Sequence, residues 1–359
     1  MRLGLRAGLT LVVLTLSGLS GPRIGEATDL PRVRLIATGG TISNRIPGRL
    51  TAEQLVRSVP TLDRYVEAEA EDFTNLPSSS LTLAQWVRLS RRINDLFEQQ
   101  PDLAGIVVTS GTDTLEETAY FLHLTVRRDR PVVVVGSMRS PGTLGYEGGA
   151  NLLQAFRVAA EPASRGRGVL VVLNDAINSA REVTKTNAQG VQTFESRRYG
   201  LLGVVDSDRV VYYRNLDRRH TATSEFDVFT VRELPRVDIL MVYQDAPGDL
   251  IRSAVDSGAR GIVMATAGAG AVSGSQQDAV RHALDQGVFV VFSTRTGSGR
   301  VPLPSTGRMT QEPTEEDTRT SAYRIPGEDV APLKARILLA LALTKTSDGE
   351  EIRRMFREY

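Results

Sequence analysis

From position 33 onward, short apolar runs rich in β-branched residues alternate with stretches whose apolar residues recur every three or four positions. That alternation predicts strand–helix–strand units. Strands are expected at 33–37, 105–109, 132–135 and 169–173, and helices at 51–59, 83–99, 115–126 and 149–160. The unbroken run Val132-Val133-Val134-Val135 predicts a mainly parallel sheet buried on both faces. Beyond Asn174 the rhythm shifts to shorter strand-like pieces at 191–194 and 210–213, then to a polar stretch at 217–225. A second set follows, with strands at 237–242, 261–265 and 288–292 and helices at 250–257 and 275–286. Two further helices close the chain, and Asp348 with Glu351 three positions on predicts a capping-box start for the last. The expected organisation is α/β: a larger, mainly parallel N-terminal domain over 31–216, a linker over 217–235 and a smaller α/β domain over 236–359.

The first residues break the pattern. Arg2 and Arg6 precede an apolar run from Leu9 to Leu19 that gives way to small and polar residues through Ala27. This predicts a signal peptide over 1–27, since about 20 apolar residues are needed to cross a bilayer and the run is shorter. A periplasmic or secreted protein is therefore expected, with no membrane association once the leader is removed. The net charge of +1 over 359 residues gives no reason to expect nucleic acid as a partner, so a small-molecule substrate is the better expectation. Cysteine is absent, which removes both disulfides and thiolate nucleophiles.

Among the 43 basic residues only Lys185, Lys334 and Lys345 are lysine. A lysine amine can give up its proton in a suitable setting, whereas a guanidinium cannot. Lys185 sits in a polar, non-helical stretch and is a candidate base or a structural ion-pair partner; Lys334 and Lys345 look like solvated charges near the ends of a helix.

Ligands of parallel α/β sheets bind beyond the carboxyl ends of the strands. There the chain places Thr38-Gly39-Gly40-Thr41, whose glycines allow close backbone approach, and Thr109-Ser110-Gly111-Thr112-Asp113-Thr114, which opens a helix. Thr112 or Asp113 could equally be a plain helix cap. A threonine hydroxyl needs an adjacent base to act as a nucleophile. His123, His220 and His282 all fall outside the turns that follow strands, and neither a Gly-x-Ser-x-Gly elbow nor a metal-binding histidine motif is present. No metal and no cofactor is expected. Thr41, Thr112, Asp113 and Lys185 remain, a set suited to hydroxyl-mediated acyl transfer.

At these residues the chain resembles the bacterial asparaginase and glutaminase family. Ala37 to Ile42 is similar to the family's first signature and Ser110 to Ala119 to its second; Asn174-Asp175, Val183 to Asn187 and Ala340 to Leu343 match as well. The resemblance implies a flavodoxin-like larger sheet, a homotetramer built as a dimer of dimers, and hydrolysis of L-asparagine with glutamine as a lesser substrate. It also implies residue roles. Thr41 would attack the amide carbon to give a β-aspartyl ester; Thr112, Asp113 and Lys185 would form a second triad that moves the proton. Backbone N–H groups near Thr112 and Ser137 would hold the oxyanion, and Gly40, Ser78, Ser79, Gly111 and Ser137 would line the substrate, with Ser78 and Asp113 at its α-carboxylate and α-amine. Which threonine attacks first is left open by the sequence.

The chain also departs from that family. The lid segment at 43–50 is short and lacks the family's tyrosine, for which Tyr65 or Tyr146 could substitute if the fold brings one near. The family's substrate-contacting glutamine is Ser79, its asparagine in the C-terminal glycine turn is Ala269, and its Asp-Gly-Pro turn reads Glu147-Gly148-Gly149; 295–301 holds no acid. Two other functions share parts of this pattern. One is the amidase subunit of a tRNA-dependent amidotransferase, against which the leader and the lack of a basic face weigh; the other is a periplasmic amino-acid-binding protein that has lost turnover. Gly268, Gly270 and Gly274 do not fit the spacing of a dinucleotide fingerprint.

Overall fold

A computed structural model describes residues 29–302 and 320–359; the expected signal peptide at 1–27 lies outside them. The larger sheet begins with β1 (Arg32–Ala37), β2 (Glu67–Asp72), β3 (Leu103–Thr109), β4 (Val132–Val135) and β5 (Val169–Leu173), followed by β6 (Ala176–Ser179). Outside it, β7 (Thr184–Lys185) pairs only with β8 (Phe194–Glu195), and β9 (Gly203–Val205) and β10 (Val210–Tyr212) then complete the eight strands. Their order is β10-β9-β6-β5-β4-β3-β1-β2, parallel from β2 to β5 and antiparallel beyond. A separate four-stranded parallel sheet holds β11 (Val237–Met241), β12 (Gly261–Thr266), β13 (Phe289–Thr294) and β14 (Arg324–Pro326) in that order. The expected α/β class, with a larger mainly parallel sheet followed by a smaller one, is what the chain adopts.

Helices α1 (Ala52–Arg57), α2 (Leu83–Gln99), α3 (Leu115–Thr125) and α4 (Gly148–Ala160) cover the larger sheet; α5 (Asp249–Asp256), α6 (Gly274–Asp285), α7 (Pro332–Ala342) and α8 (Gly349–Glu358) belong to the second half. Capping boxes start α1 (Thr51 with Gln54), α2 (Thr82 with Gln85) and α6 (Ser273 with Gln276). The valine run divides as a two-residue period requires: Val133 and Val135 pack with Leu152 and Phe156 on one face, Val132 and Val134 with Leu115 and Leu122 on the other. A third cluster joins Trp86, Phe121, Phe226, Leu338 and Phe356, so the two sheets share buried packing and Pro31–Tyr359 forms one unit. Residues 217–235, read from the sequence as a linker, are part of that packing: Phe226, Val228, Val231 and Leu234 are buried, and Arg219 pairs with Glu225 (3.1 Å) and Glu358 (2.9 Å).

Three local expectations need correction. Strand β2 was not anticipated because Glu67-Ala68-Glu69-Ala70-Glu71 lacks the β-branched residues that usually mark strands. It is an edge strand whose Glu69 pairs with Arg32 and Arg34 of β1 and whose Glu71 pairs with Arg34 (3.1 Å) and Arg92 (2.8 Å). Asp348 does cap α8, but it accepts from Glu350 N (2.9 Å), and Glu351 turns to Arg354 instead of completing a capping box. Lys334 is not solvated: it is 2% exposed, because α7 buries most of its length, Ala335 and Ile337 to Ala342 included, and Lys334 lies on that buried side while Leu333 stays exposed. Lys345 is exposed, as expected, and donates to Glu225 O (3.0 Å).

Candidate active site

The carboxyl ends of β1 and β3 meet through backbone contacts that only glycine permits. Thr38 Oγ1 donates to Thr109 O (2.6 Å), tying the two strand ends together. Gly39 and Gly40 then turn through φ of 100° and 92°, in the region open to glycine. A Cβ on Gly40 would overlap the backbone of Gly111, and one on Gly111 would sit 2.8 Å from Ser78 Oγ. The turns bearing Thr41 and Thr112 therefore lie back to back, with Ser78 beside them. Thr41 starts a single 3-10 turn, Thr41–Ser43, closed by Ser43 Oγ donating to Gly40 O (2.9 Å).

The sequence left open whether Thr112 and Asp113 merely cap a helix. Neither does: the N-cap of α3 is Thr114, which makes no side-chain cap bond, and its N–H donates to Ser78 Oγ (3.4 Å). Instead both meet Lys185, whose Nζ donates to Thr112 Oγ1 (3.1 Å) and Asp113 Oδ1 (2.9 Å). Thr112 is buried and the Lys185 side chain is 16% exposed, while the Asp113 carboxylate is 75% exposed and open to a ligand. The structure thus brings together three of the four residues expected to carry chemistry, and sets Thr41 on the adjoining turn. Ser79 is exposed next to buried Ser78.

After β4, Ser137 is fully buried and donates its hydroxyl to Arg139 O (2.6 Å). Glu147 closes this loop by accepting from Met138 N and Arg139 N (3.4 Å), a bond an aspartate one methylene shorter would make from a different place. Tyr146, beside it, donates its hydroxyl to Ile42 O (3.0 Å), one residue beyond Thr41, and burial pushes its pKa up to about 12, so it remains a donor. Tyr65 lies elsewhere, under the guanidinium of Arg157 (5.2 Å to the ring). Sequence reasoning could name Tyr146 but not choose it, since the contact spans 104 positions.

The histidines lie on α3 (His123), on α6 (His282) and just before the 3-10 turn Thr221–Thr223 (His220). Buried His123 accepts from Val169 N (3.1 Å) through Nδ1, and burial holds its pKa well below the usual range. Among the described residues, no group of three or more His, Asp or Glu side chains could hold a metal ion. In the turn at 295–301, which lacks an acid of its own, Arg300 pairs with Glu328.

Two sheets, a pair of glycine turns pressed together at the strand ends and a lysine joined to a hydroxyl and a carboxylate define a class: α/β proteins whose candidate chemistry is carried by threonines in place of histidine or cysteine. Residues 32–218 match the family described as "Asparaginase, N-terminal" and residues 236–356 match "Glutaminase/Asparaginase C-terminal domain". The chain is 41% identical to L-asparaginase 2 of Bacillus subtilis over 95% of its own length and 90% of that protein's. It is 39% identical to L-asparaginase 2 of Escherichia coli, over 93% and 95%. A solved structure of a probable cytoplasmic L-asparaginase from Campylobacter jejuni superposes with a TM-score of 0.82 at 36% identity, covering 92% of this chain and 100% of that one. The chain belongs to the asparaginase/glutaminase family.

Proposed function

We propose that the chain hydrolyses the side-chain amide of L-asparagine to L-aspartate and ammonia, with L-glutamine as a lesser substrate. The observation that carries this reading is Lys185 Nζ bridging Thr112 Oγ1 and Asp113 Oδ1 beside the Thr41 turn. In the first half-reaction Thr41 Oγ bonds to the amide carbon, the C–N bond breaks, and the threonine proton leaves with the nitrogen as ammonia. In the second, water adds to the β-aspartyl ester, the C–O bond to Thr41 breaks, and the water's proton returns to the hydroxyl. Thr112, Lys185 and Asp113 relay these protons. Backbone N–H groups near Thr112 and Ser137 offset the charge that develops on the carbonyl oxygen. The steps balance without a cofactor.

Ser78, with the free N–H groups at the start of α3, suits the substrate's α-carboxylate, and the exposed carboxylate of Asp113 suits its α-amine. Gly40, Gly111 and Ser79 would meet the rest of the substrate. In this reading the protein is exported by the leader at 1–27, works as a homotetramer, and divides into the catalytic part 31–216, the connecting stretch 217–235 and the smaller part 236–359. No helix among the described residues is long and apolar enough to cross a membrane.

The test is ammonia release from L-asparagine and L-glutamine by wild-type protein and by Thr41→Ala. Faster release from asparagine, lost in the variant, is expected. A folded wild type that binds asparagine or aspartate but releases no ammonia would replace this reading with that of a binding protein.

A further inference from the structure

The strand that carries Lys185 has little stiffness of its own. β7 is two residues long and pairs only with β8, and such a ribbon is marginal in water without outside support. Yet the catalytic reading needs the Lys185 amine held within hydrogen-bond reach of both Thr112 and Asp113. Val183 and Phe194 pack into the larger sheet's core, and two buried charged groups from other elements supply the polar support. From α3, Glu116 Oε1 accepts from Lys185 N (3.1 Å) and from Thr184 Oγ1 (3.1 Å). From α7, Lys334 Nζ donates to Arg181 O (2.9 Å) and to Val183 O, the carbonyls two and four residues before the lysine. The two supports are also joined: Lys334 Nζ lies 3.8 Å from Glu116 Oε2, which finds no hydrogen-bond donor among the described residues.

We propose that Lys334 is a positioning residue for the reaction, holding the 181–185 segment and the Glu116 carboxylate together so that Lys185 meets Thr112 and Asp113. This rests on the reading of Lys185 as part of the proton relay. The ammonium fits this place for reasons of shape. It is a compact charge that reaches two carbonyls and a carboxylate at once, where the planar fork of arginine would need more room and a different set of acceptors. In a chain that uses arginine for nearly every other cation, two of the three lysines act on one five-residue segment. Arg181 anchors the far end of that segment, through Asp329 (2.8 and 3.1 Å) and Tyr359 O (2.8 Å). The smaller sheet's half thereby sets the geometry of an amine that belongs to the larger sheet's half.

The charges facing Lys334 are Glu116 from α3 and Arg181 and Glu182 from the segment before β7; the Tyr120 ring lies 6.0 Å away. Burial outweighs the attraction of Glu116 and lowers the Lys334 pKa to about 8. Above that pH the ion pair with Glu116 is lost while the neutral amine still donates to the carbonyls. An alkaline limb near pH 8 in kcat should follow, and it should be absent when Lys334 is replaced.

Three lysines make the test direct, because a chain labelled with 13C-lysine shows only three lysine side-chain signals. Lys334→Met is expected to lower kcat by roughly 10- to 100-fold, the order that a displaced catalytic group costs, with KM changed by less than about threefold. The Lys185 13Cε resonance should move from its wild-type position as its contacts with Thr112 and Asp113 are lost, and the limb near pH 8 should vanish. Lys345→Met, on the surface, should leave all three readouts unchanged. If Lys334→Met does not fold, Glu116→Gln decides by the same readouts, since it keeps an acceptor for Lys185 N and removes the charge opposite Lys334. A folded Lys334→Met with wild-type kcat, or one whose kcat falls while the Lys185 resonance stays in place, overturns the proposal. The underlying reading fails separately: wild-type turnover by Lys185→Met would remove Lys185 from the relay whatever Lys334 does.

Discussion

The turn that carries Thr41 and the strand that carries Lys185 are fixed by opposite means. Backbone shape fixes the first: Gly39 and Gly40 adopt left-handed angles, Gly40 presses against Gly111, and short polar contacts from Thr38, Ser43 and Tyr146 finish it. Charge fixes the second: beside the apolar packing of Val183 and Phe194, the groups Glu116, Lys334, Arg181 and Asp329 brace a two-residue strand that lies outside the larger sheet. A backbone fit of the first kind is insensitive to pH and salt and is broken by a single methyl group. A charged brace of the second kind is tunable, and removing one partner strands the other in the interior.

The largest effect should come from the shape-determined side. Gly40→Ala adds a Cβ where the Gly111 backbone already sits and forces alanine to φ near 92°. Ammonia release should fall by more than about 100-fold, since the nucleophile's turn must move to relieve the overlap, and thermal melts should show a loss of about 1–3 kcal/mol. A Gly40→Ala variant with wild-type turnover would show that the two turns are not locked together.

Next in size is the charged brace. Lys334→Met leaves Glu116 buried without its partner and should cost about 3–5 kcal/mol in urea unfolding near pH 7, net of the relief of the lysine's own burial. That burial has a defined pH signature. The folded-state pKa of about 8 lies below the ordinary 10.5, so between those values the unfolded chain binds more protons and stability rises with pH. Below about pH 8 the lysine is charged in both states and the burial cost is constant, on the order of 3 kcal/mol for the shift. Urea midpoints should therefore show wild type gaining on Lys334→Met between pH 8 and pH 10; parallel curves would mean that Lys334 titrates normally.

Smaller still is Tyr146→Phe, which removes the hydroxyl donated to Ile42 O. A neutral hydrogen bond contributes about 1 kcal/mol, so kcat should fall by roughly 3- to 10-fold, with Tyr65→Phe as an unaffected control. Equal loss in both variants would deny Tyr146 a special place at the Thr41 turn. The smallest effect belongs to the edge strand β2. Glu71→Gln weakens the pairs with Arg34 and Arg92, and should cost at most about 1 kcal/mol with turnover unchanged; added salt should shrink the difference.

The same contrast explains what the chain discloses before it folds. Features enforced by local backbone need are written locally: Gly39-Gly40 before Thr41, Gly111 before Thr112, and the valine runs of β4 and β5, whose bounds the sequence pattern matched. Features enforced by distant partners are not. β2 carries glutamates that make sense only against Arg32 and Arg34, so its composition argued against a strand. Lys334 looks solvated on a helix end until Arg181, Val183 and Glu116 arrive from more than 150 positions away. Tyr146 could be chosen over Tyr65 only once the loop after β4 was placed against Ile42. Lys185 was legible for a chemical reason, as a lone amine in a polar turn of an arginine-rich chain.

The proposed reaction requires Thr41 to be the residue that takes the acyl group. Wild-type protein quenched in acid during turnover of L-asparagine, digested and mapped by mass spectrometry, should carry a β-aspartyl ester on the peptide containing Thr41. Hydroxylamine added before the quench should remove that ester as the hydroxamate. An ester on the Thr112 peptide, or turnover that persists in Thr41→Ala, would contradict it.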